Sequence, residues 1–121
     1  LVAGADLLVE NLSPGSQLRW DWGLDPDNLA RLNPRLTVVR ISSFGQHGPS
    51  RDRETTPLTL QAASGWVNER DPGRPPVQAG ARIPEYIAGS YAAMGALTGL
   101  RISAAGVGRP VEVDVSVFEA L

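Results

Sequence analysis

The sequence predicts an α/β fold organised around a parallel sheet. Three observations carry this prediction. Residues 36–42 (LTVVRIS) are rich in β-branched side chains and form the strongest strand signal in the chain. Residues 6–12 (DLLVENL) form a second short apolar run, and a capped helix lies between the two. Strand, helix and strand in such close succession imply a parallel βαβ unit with a right-handed crossover. Residues 87–100 then read as a helix without a single charged side chain, rich in Gly, Ala and Ser. Such a segment is expected to be buried on most of its faces, with neighbouring backbone close against it.

Taken in order, the run at 6–12 has the pattern of a buried strand and ends in the turn chemistry of Ser13, Pro14 and Gly15. Residues 16–22 suit a helical turn or two, punctuated by Gly23. Asp25 is a helix N-cap with Pro26 at the first helical position, and the pair Asn33 and Pro34 stops that helix after about Leu32. The strand at 36–42 is followed by the loop 45–49 (GQHGP), which leaves its carboxyl end. In open α/β sheets that edge is where ligands bind, so this loop is a candidate wall of a site. Residues 51–56 are polar loop, 58–64 a short helix closed by Gly65, and 68–82 irregular surface dense in Pro, Gly and charge. The long helix ends near Arg101, residues 106–110 turn, and 111–115 (VEVDV) alternate as a half-exposed strand should. A last helix starts near Ser116.

Composition narrows the function. The 121 residues are 42% hydrophobic and 20% charged with a formal net charge of −2, as suits one soluble globular unit. All 11 basic residues are Arg, scattered from Arg19 to Arg109, so neither nucleic acid nor a membrane is indicated as a partner. The absence of Cys removes disulfides, thiolate catalysis and Cys-ligated zinc, and one His without a carboxylate cluster argues against a catalytic metal. No stretch has the length of a membrane span or the pattern of a signal peptide, which leaves the cytoplasm as the default compartment. The chain opens without Met and closes within a helical pattern, so it reads as a piece of a longer protein.

Glu85 is the candidate for chemistry. It lies in the first turn of the long helix, where the dipole favours the ionised and hence nucleophilic carboxylate. The alternative is that Glu85 only caps the helix after Pro84. His47 lies between two glycines with no partner in sequence to hold its tautomer, which suits a solvent-facing loop better than a catalytic base. Gly106 and Gly108 lack both the third glycine and the strand–helix context of a dinucleotide fingerprint, so no nucleotide redox cofactor is indicated. Asp71, Pro72 and Gly73 form a turn. Ser13, Ser43 and Ser64 lack the nucleophile-elbow pattern. Trp20, Trp22 and Trp66 suit either adenine stacking or a packed interface.

The same residues resemble a family. Val9 to Gly15 (VENLSPG) is similar to the "VENF-x-PG" segment of the class III CoA-transferases, the formyl-CoA and carnitine CoA-transferase group. Residues 32–36 (LNPRL) match its "LNPRL", and 41–49 (ISSFGQHGP) its "ISGFGQ-x-GP". Residues 62–65 (AASG) and the pattern from Gly106 to Ser116 follow in the family's order, so the resemblance covers nearly the whole chain. It implies that residues 1–121 are the central part of a large Rossmann-like domain in a longer protein, whose fold is an interlocked homodimer. It also implies CoA as substrate, with an acyl-CoA and a carboxylic acid as partners. In the family an Asp at the Glu85 position forms acyl-anhydride and CoA-thioester intermediates. Asn11, Leu12 and Ser13 match a CoA-contacting segment, Arg19 a basic residue suited to the cofactor's phosphates, and Thr55 and Thr56 a further CoA contact.

Two departures from the family pattern matter. Glutamate stands where the family has aspartate, moving the carboxylate outward by one methylene. Covalent catalysis is sensitive to a displacement of about 1 Å, so either the pocket fits Glu or the domain is catalytically silent and binds CoA or a partner subunit. The racemase branch pairs its Asp with a His shortly before the "SG" segment, and Glu54 to Pro57 contains none, which disfavours a racemase.

Overall fold

The loops that matter for function leave one edge of a parallel sheet, and the sheet's construction explains why. A computed structural model of the protein describes residues 1–67, 73–75 and 77–121. Strand β1 (Leu7–Glu10) pairs with β2 (Thr37–Ser42) in parallel, from Leu7 opposite Thr37 to Glu10 opposite Arg40. Strand β3 (Val111–Ser116) pairs in parallel on the other side, from Thr37 opposite Val111 to Ser42 opposite Ser116. The order β1-β2-β3 puts all three carboxyl ends on one edge.

Helix α1 (Gln17–Asp21) follows β1, and α2 (Pro26–Leu32) completes the crossover to β2. Helix α2 starts where the sequence predicts: Asp25 Oδ1 accepts the Asn28 N–H at 3.0 Å, with Pro26 inside the first turn. Alternation along β2 feeds two cores. Val38 joins Leu29 and Leu36 on the α2 side. Val39 joins Val115 and Ala88, Ala92 and Ala96 on the side of α4 (Ile83–Ala104). Helix α3 (Pro57–Ala63) carries a capping box between Thr56 and Thr59. Helix α5 (Val117–Ala120) follows β3 and is capped by Ser116.

Several elements differ from the sequence reading. A 3-10 turn at Val2–Gly4 precedes β1 and was not anticipated. Helix α4 begins at Ile83 and continues to Ala104, past Arg101. Strand β1 is not a buried strand: Leu7 and Val9 are exposed, because they share the face of Thr37 and Val39 that α4 covers, and α4 packs over β2 and β3. Helix α4 is not buried on most faces either. It buries one stripe, Pro84, Ala88, Ala92, Ala96, Gly99 and Ser103, while Tyr86, Tyr91, Met94, Leu97 and Ile102 are exposed. The small residues bring its backbone against the sheet, as expected, while Tyr86, Met94 and Leu97 lie on the opposite side and Tyr91 and Ile102 flank the buried stripe. The irregular segment read at 68–82 falls outside the described residues at 68–72 and 76, as do Asp71 and Pro72 of the predicted turn. Among the described residues no helix is long and apolar enough to cross a membrane.

Candidate active site

A cluster of charged residues links the three strands. Glu10, the last residue of β1, is buried and sits beside Arg40, its register partner on β2. One carboxylate oxygen of Glu10 accepts from Arg40 Nε at 3.1 Å and from Arg19 Nη2 at 2.8 Å. The other takes the backbone N–H of Leu12 at 2.6 Å. Arg40 also reaches Glu112 on β3 at 2.7 Å. Charged residues inside a strand are almost never buried unless paired, and here the pairing joins all three strands.

Above this cluster lies a cavity of about 820 Å³. Its wall takes Asn11 and residues 13–16 from the turn after β1, and Ile41, Ser42 and Ser43 from the end of β2. Residues 51–55 from the polar loop, Glu85 from α4 and Val117 from α5 complete it. Thr55 Oγ1 donates to Ser43 Oγ at 2.8 Å, which ties the polar loop to the strand end. Arg51 pairs with its neighbour Asp52 at 3.0 Å, and both are exposed.

Glu85 enters from the first turn of α4 with its side chain 41% exposed, and Arg82 Nε donates to its carboxylate at 3.2 Å. The lead-in is unusual. Ala81 and Arg82 have φ of 59° and 54°, left-handed values that cost a residue with a Cβ free energy. Arg82 is the N-cap and makes no side-chain cap, so a cation stands at the end of a helix that favours anions. Gln61, fully buried in α3, anchors the segment just before: Ala79 N–H donates to Gln61 Oε1 at 2.7 Å, and Gln61 Nε2 donates to the Ala79 carbonyl at 3.1 Å.

Four of the seven residues singled out from sequence, Asn11, Ser13, Thr55 and Glu85, share this cavity wall. Leu12, Arg19 and Thr56 stand outside it. Leu12 lends its backbone to Glu10 and Arg19, Arg19 is buried behind the turn, and the Thr56 hydroxyl accepts the Thr59 N–H in the α3 cap. His47 is an exposed loop residue. Sequence reasoning passed over Glu10, Arg40 and Gln46. Arg40 carried a usable signal, a lone charge within the most β-branched strand of the chain. Arg51 and Arg53 were also missed, because nothing in an exposed polar loop marks which arginines face a cavity.

Comparison with known proteins is uniform. The pattern of CoA-transferase family III matches residues 1–121. The chain is 35% identical over its whole length to the succinyl-CoA–D-citramalate CoA-transferase of Chloroflexus aurantiacus, of which it covers 30%. It is 38% identical over 99% of its length to subunit BbsE of the succinyl-CoA:(R)-benzylsuccinate CoA-transferase of Thauera aromatica, covering 29% of that protein. Among solved structures, a CAIB/BAIF family protein from Brucella suis superimposes with a TM-score of 0.86 at 28% identity, over 98% of this chain and 31% of that one. The chain thus spans about 30% of the length of the relatives it matches.

Proposed function

Because this chain belongs to CoA-transferase family III, we propose that the protein carrying it moves CoA from an acyl-CoA to a carboxylic acid, with Glu85 as the nucleophile. The observation that carries this reading is the cavity wall that Glu85 shares with Asn11, Ser13 and Thr55. Its volume of about 820 Å³ lies within the range of small-molecule sites, roomy enough for the pantetheine arm and a small acyl group. Arg53, and Arg51 beside it, put cations at the exposed side of the wall, where the phosphates of CoA would be bound. Asn11, Leu12, Ser13, Thr55 and Thr56 belong to the two loops that hold the substrate, and Arg19 serves the first of them.

The chemistry follows from a carboxylate facing a thioester. A Glu85 oxygen attacks the acyl carbon, the C–S bond breaks, and CoA leaves as thiolate, giving a mixed anhydride on Glu85. The thiolate then attacks the glutamyl carbon, releasing the donor acid as carboxylate and leaving CoA as a glutamyl thioester. The acceptor carboxylate attacks that thioester, and the freed thiolate attacks the acceptor's acyl carbon, restoring Glu85. Each step exchanges carboxylate and thiolate at an acyl carbon, so no proton or electron is gained or lost overall. In this reading residues 1–121 are the central part of a large Rossmann-like domain in a cytoplasmic homodimer.

The test uses the full-length protein, incubated with a panel of acyl-CoAs, quenched with hydroxylamine or borohydride and examined by intact-mass spectrometry. A modification at Glu85 is expected. Glu85→Gln should abolish transfer while CoA still binds, and retained turnover would sink the assignment. CoA binding without any adduct would identify a catalytically silent CoA-binding domain instead, the outcome that glutamate in place of aspartate favours.

A further inference from the structure

We propose that Glu10 is a positioning residue for acyl-CoA, which sets the shape of the turn at 11–14 from beneath the cavity through Arg19. The proposal rests on the CoA-transferase reading of that cavity. Glu10 and Arg19 have side chains only 6% and 8% exposed. A buried ion pair of this kind is weak support for stability, since the desolvation of both ions offsets their attraction. What distinguishes this pair is where its remaining hydrogen bonds go. Glu10 takes the Leu12 N–H, while Arg19 donates to the Leu12 carbonyl at 3.3 Å and the Pro14 carbonyl at 2.8 Å. The turn is therefore fixed at Leu12 and Pro14, and it carries Asn11, Ser13 and the anchored Pro14 itself on the cavity wall.

The same guanidinium reaches across to the second loop. Arg19 Nη2 donates to Gln46 Oε1 at 3.1 Å. Gln46 in turn donates through Nε2 to Ser42 Oγ at 3.2 Å and through its backbone N–H to Asp114 Oδ2 at 2.8 Å. Glu10 thus stands at the root of a network that holds the turn after β1 and the loop after β2 in one geometry. Arg19 itself is absent from the cavity wall, so it serves the substrate through the backbone it holds and not by touching phosphate. A fork donating in several directions does this, and a lysine ammonium of equal charge does not.

The test measures the dissociation constant of CoA by calorimetry for the full-length protein and its Glu10→Gln, Arg19→Lys and double variants. The rate of Glu85 adduct formation at saturating acyl-CoA is followed alongside. Either single variant should weaken CoA binding about tenfold, the loss of one charge-assisted hydrogen bond. The double variant should be no more than about twofold worse than the weaker single one, because both act on one turn. The saturated adduct rate should stay within about twofold, since Glu85 is carried by α4. Glu10→Gln gives a sign test: removing an anion near an anionic ligand tightens binding if only long-range charge matters. Tighter or unchanged binding in Glu10→Gln, full affinity in Arg19→Lys, or multiplying losses in the double variant would each overturn the proposal. If Glu10→Gln fails to fold, Arg19→Lys decides alone, because a phosphate contact would survive it. Absence of any Glu85 adduct in the unaltered protein would refute the transferase reading, while the CoA titrations would still judge this inference.

Discussion

Adding one methyl group to Gly99 tests how Glu85 is held in place. A Cβ there would lie 2.5 Å from Thr37 Cγ2, whereas ordinary contact begins at 3.4 Å, so α4 would have to retreat by about 0.9 Å. Thr37 cannot yield, because it is fully buried at the start of the central strand and its branched side chain is stiff. Overpacking of this kind costs about 1–3 kcal/mol, and the better helix propensity of Ala returns up to about 1 kcal/mol. Gly99→Ala should therefore lower the stability of the full-length protein by about 1–2 kcal/mol in urea unfolding. The same retreat displaces Glu85, and a misplacement of about 1 Å can slow adduct formation by up to a hundredfold. Thr37→Ser removes the obstructing methyl and leaves the oxygen at an ordinary 3.5 Å. Gly99→Ala combined with Thr37→Ser should accordingly recover most of both losses, the coupling being read from the double-mutant cycle. An unaltered Gly99→Ala variant, or a double variant that shows only the sum of two losses, would refute this account of the seat of α4.

Three further outcomes follow from the same geometry. Glu85→Asp shortens the arm by about 1 Å or more and should slow the quenched-adduct rate about a hundredfold; an equal or faster rate would mean that the cavity is not fitted to glutamate. Arg82→Gly relieves a φ of 54° at the N-cap and forfeits an exposed ion pair worth at most about 1 kcal/mol, so the thermal midpoint should rise slightly. A fall in that midpoint would remove the argument for strain. Gln61→Leu leaves the N–H and carbonyl of buried Ala79 without their partner and should cost about 2–4 kcal/mol in urea unfolding, with a loss below about 1 kcal/mol counting against it.

Local signals were legible wherever a residue's chemistry is spent on its own neighbours. The Asp25 cap, the Asn33–Pro34 stop and the β-branched run of β2 all appear as read, because each is decided within a turn or a strand. What the sequence could not supply was which side of an element has a partner. Helix α4 has no charged residue between Ile87 and Leu100, which suggests burial on most faces, yet Tyr91, Met94 and Leu97 are exposed. Its small residues gave the truer signal, since they fix the one face where backbone meets β2 and β3. Of the seven residues singled out from motif and position, Glu85, Asn11, Ser13 and Thr55 lie on one cavity wall, and Leu12, Arg19 and Thr56 lie outside it. The Glu10–Arg19–Arg40 cluster was not found. Its members lie 9 and 30 residues apart: the parallel register of β1 on β2 brings Arg40 to Glu10, and the turn after β1 returns Arg19 to it from α1.

The two sides of the cavity are held by different means, and this bears on how a transferase could work here. The wall beside Asn11 and Ser13 is fixed by buried, charge-assisted hydrogen bonds to the turn's own backbone. Such bonds are short and directional, so this wall is formed before any ligand arrives and costs little ordering on binding. The Glu85 side is exposed, led in by two left-handed residues and tethered at Ala79 through Gln61. Left-handed residues persist only where their surroundings over-determine them, and here the surroundings are the seat of α4 and the Gln61 anchor. In the proposed transfer this one carboxylate attacks the acyl-CoA, and its own carbon is then attacked in turn by the CoA thiolate and by the acceptor carboxylate. A rigid wall for the constant part of the substrate, CoA, and a less constrained arm for the carboxylate that meets each changing acyl carbon divide the task accordingly. Glycine at 82 separates the two contributions: it relaxes the arm while leaving the wall intact, so CoA affinity should hold even where the adduct rate moves.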